Sequence, residues 1–79
     1  MSHTIIKVSE IVSVRHYNTG WTDYLTVALS SGASYKWACY HYEESLSQRE
    51  KCNDMRRAFE RISTAIADKT EFVKFYISD

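Results

Sequence analysis

Between Ser47 and Asp68, apolar residues return at three- and four-residue steps. They are Cys52, Met55, Phe59, Ile62 and Ile66, with Ala58 and Ala65 on the flanks. That is the period of one helix face, and it predicts a single amphipathic helix ~30 Å long at 1.5 Å per residue. Ser47 followed by Glu50 reads as a capping box at its start: the hydroxyl accepts a backbone N–H, and the carboxylate reaches back to the cap. So long a stripe needs a surface of similar length to cover it. Phe59 lies mid-stripe and is expected in the helix–sheet core, where Phe59→Ala should cost ~3–5 kcal/mol.

The covering surface has to come from strands. Ile5 to Val8 is a short apolar run, and Ser9-Glu10 reads as a bend. Ile11 to Tyr17 is rich in β-branched residues. With Val12 and Val14 inward, Ser13, Arg15 and Tyr17 face outward and His16 sits at the inner rim. Asn18-Thr19-Gly20 breaks the run, and a loop continues through Trp21. From Tyr24 to Leu29, Leu25, Val27 and Leu29 share one face. Ser30-Ser31-Gly32 makes a tight turn. Ala33 to Tyr40 then alternates Tyr35, Trp37 and Cys39 with Ser34, Lys36, Ala38 and Tyr40. Phe72 to Ile77 reads as a last strand with Val73, Phe75 and Ile77 inward and Lys74 and Tyr76 outward. The expected fold is α+β: an antiparallel meander, one long helix packed on one face, and a C-terminal strand delivered to a sheet edge.

A chain of 79 residues is expected to be one domain, spanning 1–79, near the lower end of what folds without staples. Ten basic residues balance ten acidic ones. Bulk attraction to phosphate usually needs a basic excess, so that function class starts behind, while zero net charge permits self-association, including a homodimer. No apolar run approaches membrane-spanning length, the N-terminus shows no signal-peptide pattern, and no membrane partner is expected. Two cysteines in this setting suggest reduced thiols and a cytoplasmic location.

No enzymatic constellation stands out. Gly20 and Gly32 are the only glycines, and each fits a turn rather than a phosphate loop. Cys39, His41 and Cys52 invite a metal reading, but Cys39 is inward on its strand and Cys52 lies on the helix stripe. Both are better read as small buried hydrophobes facing one another, and no cofactor or metal is expected. Glu43-Glu44 beside His41 precede a helix N-terminus, where negative charge is favourable for structural reasons alone. On the helix's far face, Arg49, Lys51, Arg56, Arg57 and Arg61 interleave with Glu50, Asp54 and Glu60, the pattern of a solvated face with weak ion pairs.

The outward sheet face is more informative. By alternation it carries Arg15, Tyr17, Tyr24, Lys36, Tyr40, Lys74 and Tyr76, with Trp21 in a loop nearby. Tyrosine mixed with Arg and Lys serves both interface hot spots and single-strand stacking platforms. Tyrosine also simply suits strands and half-wet surfaces.

The phrases Ile11-Val12-Ser13-Val14-Arg15, Leu25-Thr26-Val27-Ala28-Leu29-Ser30-Ser31-Gly32 and Tyr35-Lys36-Trp37 resemble small phage and prophage accessory proteins, which often read as such a hairpin followed by a helix. The resemblance covers the first half of the chain and identifies no functional residue. It implies a small protein that acts by binding, for instance as an inhibitor of a host enzyme or defence complex. The expected function is therefore a non-enzymatic inhibitor or adaptor working through protein–protein contact. The alternative is a nucleic-acid or nucleotide-binding module that uses the outward tyrosines and basic residues.

Overall fold

The computed structural model describes residues 3–40 and 45–78. Strand β1 (His3–Lys7) leads through a 3-10 turn (Val8–Glu10) into β2 (Ile11–Thr19), β3 (Thr22–Leu29) and β4 (Ser34–Tyr40). Helix α1 (Leu46–Asp68) and strand β5 (Phe72–Tyr76) complete the order. The fold is α+β, as expected: β2, β3 and β4 form an antiparallel meander, and one long helix packs on it. His41, Glu43 and Glu44 lie outside the described residues.

The last strand does not join the meander. β5 pairs antiparallel with β1, Ile6 opposite Val73 and Thr4 opposite Phe75, making a separate two-stranded ribbon. The 3-10 turn redirects the chain between the two sheets. Val8 N–H donates to the Glu71 carbonyl at 2.9 Å, and Ser30 N–H donates to the Glu10 carbonyl at 2.8 Å, so the turn is bonded to both. A two-stranded ribbon is marginal alone, and this one is held by its packing. Ile6, Val73, Phe75 and Ile77 share one core with Leu25, Val27 and Cys39 of the meander and with Met55, Ala58, Ile62 and Ala65 of the helix. Phe75 meets Trp37 edge-on, ring centroids 5.4 Å apart.

Val12 is also placed differently from the alternation. Ile11 is opposite Leu29 but Ser13 is opposite Ala28, so β2 carries an extra residue at this point. Such a bulge turns one side chain out of the two-residue rhythm. Val12 is 68% exposed, while Ile11 and Val14 pack against the core. Beyond the bulge the alternation runs as read, with His16 against Phe59 at 5.6 Å.

The cap of helix α1 lies two residues before the expected one. Ser45 is extended (φ −87°, ψ 147°) and its hydroxyl accepts the Gln48 N–H at 3.3 Å, whereas Ser47 lies within the first turn. Gln48 does not reach back to the cap. Its side-chain oxygen accepts the Tyr40 N–H at 2.9 Å, tying the helix start to the end of β4. At 23 residues the helix is ~35 Å long, close to the 37 Å long axis of the molecule. Its buried line is Met55, Ala58, Ile62 and Ala65; Cys52 and Phe59 are half-buried beside it, and Ile66 is 40% exposed. The stripe is thus centred nearer the alanines, whose small side chains let other elements approach closely.

Two ties fix the helix further. Asp54 accepts hydrogen bonds from both the Ser78 N–H and the Ser78 hydroxyl, which holds the chain end beside the middle of α1. At the C-terminus, Lys69 adopts the left-handed conformation (φ 56°, ψ 40°) and donates to the Ile66 carbonyl, while Thr70 N–H donates to Ala65. This is a Schellman ending with lysine where glycine is the usual residue. Lys69→Gly should therefore raise stability by ~0.5–1 kcal/mol in urea titration, since a side chain in this region is sterically penalised. An unchanged or lower midpoint would show that no strain is relieved.

Cys39 and Cys52 do face one another, but not as separate thiols: they form a disulfide, with Cα atoms 5.6 Å apart. The inward position on β4 and the second turn of α1 bring the two sulfurs together. Reduced thiols are thus corrected to a bridge, and cysteine usage no longer argues for the cytoplasm. No described helix is long and apolar enough to cross a membrane.

Candidate partner-binding face of the meander

The core covers one face of the β2–β3–β4 meander, so the cross-strand register decides what the other face presents. Leu25 and Val27 are fully buried, which sends Thr22, Tyr24, Thr26 and Ala28 of β3 outward. Register then sets the rows: Ser13, Ala28 and Ser34; Arg15, Thr26 and Lys36; Tyr17, Tyr24 and Ala38; Thr19, Thr22 and Tyr40. None of these residues is acidic.

Within the rows the charged and aromatic groups are already organised. Tyr17 and Tyr24 stack with centroids 5.2 Å apart and planes 28° from parallel. The Arg15 guanidinium sits 4.8 Å from the Tyr17 ring centre, and the Lys36 ammonium sits 4.5 Å from that of Tyr24. The result is a ladder of Arg15, Tyr17, Tyr24 and Lys36 in which each cation lies over a ring, an arrangement favoured by the ring's negative face. Small neighbours, Thr26 and Ala38, keep the surface low around it. Tyr40 is exposed at the far corner.

The seven residues singled out by alternation, with Trp21 as the eighth, do not form one surface. Arg15, Tyr17, Tyr24, Lys36 and Tyr40 are brought together on this face. Trp21 stands 69% exposed in the β2–β3 turn, next to Gly20, whose φ of 63° the turn requires. Lys74 and Tyr76 point away from the core as read, but on the separate ribbon. Tyr76 packs beside His3 at 5.7 Å and lines a cleft with Glu50, Asn53, Asp54, Arg57 and Ser78. Lys74 borders an open groove between α1 and β5, with Arg57, Arg61, Glu60 and Asp68 along its walls. Both are surfaces of mixed charge, unlike the meander face.

Asp23 was not singled out by the sequence. It pairs with Cys39 across β3 and β4, accepts a hydrogen bond from the Asn18 side chain at 2.8 Å, and lies beside the disulfide. Only the register reveals this, because Asp23 falls at the start of a strand and reads as a loop residue. No protein-family model, curated protein or solved structure matches the chain.

Proposed function

We propose that this chain is a small non-enzymatic binding protein whose meander face docks on an acidic surface of a protein partner. The observation that carries the reading is the ladder of Arg15, Tyr17, Tyr24 and Lys36 on a face whose described strand residues include no carboxylate. Tyrosine and arginine in a low, preformed array supply contact area at little entropic cost, and uncompensated cations favour a negatively charged counterpart. The reading fits an inhibitor or adaptor of the phage-accessory type. Self-association by this face is disfavoured, because a two-fold contact would bring Arg15 and Lys36 of both copies into one interface without a carboxylate among its described strand residues.

A nucleic acid is the weaker candidate for the same surface. Base stacking needs open ring faces, and here Arg15 and Lys36 lie over Tyr17 and Tyr24. The test is capture from a host lysate by tagged wild type and by an Arg15→Glu/Lys36→Glu variant, with and without nuclease, read by mass spectrometry. One acidic protein should be retained by wild type after nuclease and reduced at least ~10-fold by the variant, the equivalent of ~1.4 kcal/mol. The variant should keep its fold, with melting lowered only by the ~0.5–1 kcal/mol of each exposed cation–ring contact. Equal capture by the variant removes this face from consideration. Material lost with nuclease transfers the face to nucleic acid.

A further inference from the structure

We infer that reduction of the Cys39–Cys52 bridge uncovers a site for one thiophilic divalent cation of the zinc type, held by Cys39, Cys52 and Asp23. One ligand atom from each, the two sulfurs and a carboxylate oxygen, lies within 4.8 Å of the others. A tetrahedral zinc with ~2.3 Å bonds to sulfur and ~2.0–2.2 Å to oxygen sets its ligand atoms roughly 3.5–3.8 Å apart. The carboxylate oxygen is thus within reach of that spacing, while the two sulfurs, bonded to each other in the oxidised form, have to separate to it on reduction. Small side-chain rotations suffice to open the sulfurs, with the Cα atoms kept 5.6 Å apart.

The ligands come from three different elements, β3, β4 and α1, all fixed by the core. Cys39 is fully buried while Cys52 and Asp23 are half-buried, so one side of the site is shielded and the other reachable. The Asn18 amide donates to the Asp23 carboxylate. Such a bond orients a ligand in the manner of an outer-shell partner. Two thiolates select a soft or borderline ion over magnesium or calcium. Three protein ligands leave a fourth position for water.

The chemistry balances in two steps. A dithiol reductant supplies two electrons and two protons to the disulfide and is itself oxidised to a disulfide, giving two thiols. The cation then displaces both thiol protons and binds two thiolates and the Asp23 carboxylate. The oxidised form has no thiolate and does not bind. A covalent tie between β4 and α1 is thus exchanged for a metal-mediated one, according to redox state and metal supply.

Cobalt(II) added to metal-free protein in a phosphine reductant is the direct probe. One equivalent should produce thiolate-to-cobalt charge-transfer absorption that one equivalent of zinc abolishes, and oxidised wild type should give none. Asp23→Asn should keep the absorption but bind at least ~10-fold more weakly. Zinc should also raise the melting temperature of the reduced chain and leave the oxidised chain unchanged. Absence of the charge-transfer band in reduced wild type overturns the site, as does a reduced chain that zinc neither stabilises nor refolds. Equal affinity in Asp23→Asn overturns the three-ligand assignment.

Discussion

Phe75→Ala is expected to remove ~3–5 kcal/mol of folding free energy, a large part of what a chain of this length holds at ~0.05–0.15 kcal/mol per residue. Phe75 is 1% exposed and heads the fully buried side chains by size. It also has an architectural position that its size does not convey. The β1–β5 ribbon has no strand pairing with the meander, so beyond the 3-10 turn its attachment depends on side chains, and Phe75 meets Trp37 across the gap. Truncation leaves a cavity at the junction and strips an edge-on aromatic contact worth ~0.5–1.5 kcal/mol beyond its area. Urea unfolding followed by tryptophan fluorescence reads the change. Phe75→Leu, which keeps most of the volume, should cost clearly less. Phe59→Ala should also cost less than Phe75→Ala, because Phe59 is half-buried against His16. A Phe75→Ala midpoint within ~1 kcal/mol of wild type would mean that the ribbon is not held in this way.

The difference between Phe59 and Phe75 shows what the chain's pattern carries and what it leaves out. Periodicity identifies a helix and its apolar side but not the centre of that side, which depends on what packs there. Here the ribbon and meander centre the contact on Met55, Ala58, Ile62 and Ala65. Alternation likewise finds the meander and its outward Arg15, Tyr17, Tyr24 and Lys36, since each hairpin joins neighbours in sequence. It cannot find the pairing of β1 with β5, because no turn connects them and any exposed strand edge satisfies the same pattern. That is why Lys74 and Tyr76, correctly read as outward, belong to another surface.

The remaining differences have similar causes. An extra residue within a β-branched run changes no local propensity, so the Val12 bulge is silent in sequence. Ser45-x-x-Gln48 and Ser47-x-x-Glu50 both fit a cap, and the choice goes to Ser45 because Gln48 then bonds the end of β4. Facing cysteines were legible from strand phase and helix phase together. Their covalent state was not, since it depends on a distance of a few ångströms between elements separated by a connection.

Reduction of that bridge in metal-free buffer should destabilise the protein by ~3 kcal/mol, the loop-closure value for a ring of about 15 residues; the cysteines here are 13 apart. The effect lies mainly in the unfolded chain, which gains conformations when the tie between β4 and α1 is cut. For a domain of 60–100 residues, ~1 kcal/mol shifts melting by roughly 4–8 °C, so a fall on the order of 15 °C is expected. Wild type with and without a phosphine reductant is a cleaner comparison than alanine variants. Cys39 is fully buried, and truncating it would add a packing loss to the entropic one. The folded state retains local ties at this place when the bridge opens: Gln48 still accepts from Tyr40, and Ser45 still caps the helix. The secondary structure of the native state should consequently survive reduction at low temperature, with circular dichroism unchanged while the midpoint falls. A midpoint that does not move would place the stabilising closure elsewhere. Loss of helix signal at low temperature would instead show that the first turns of α1 depend on the covalent tie rather than on their cap.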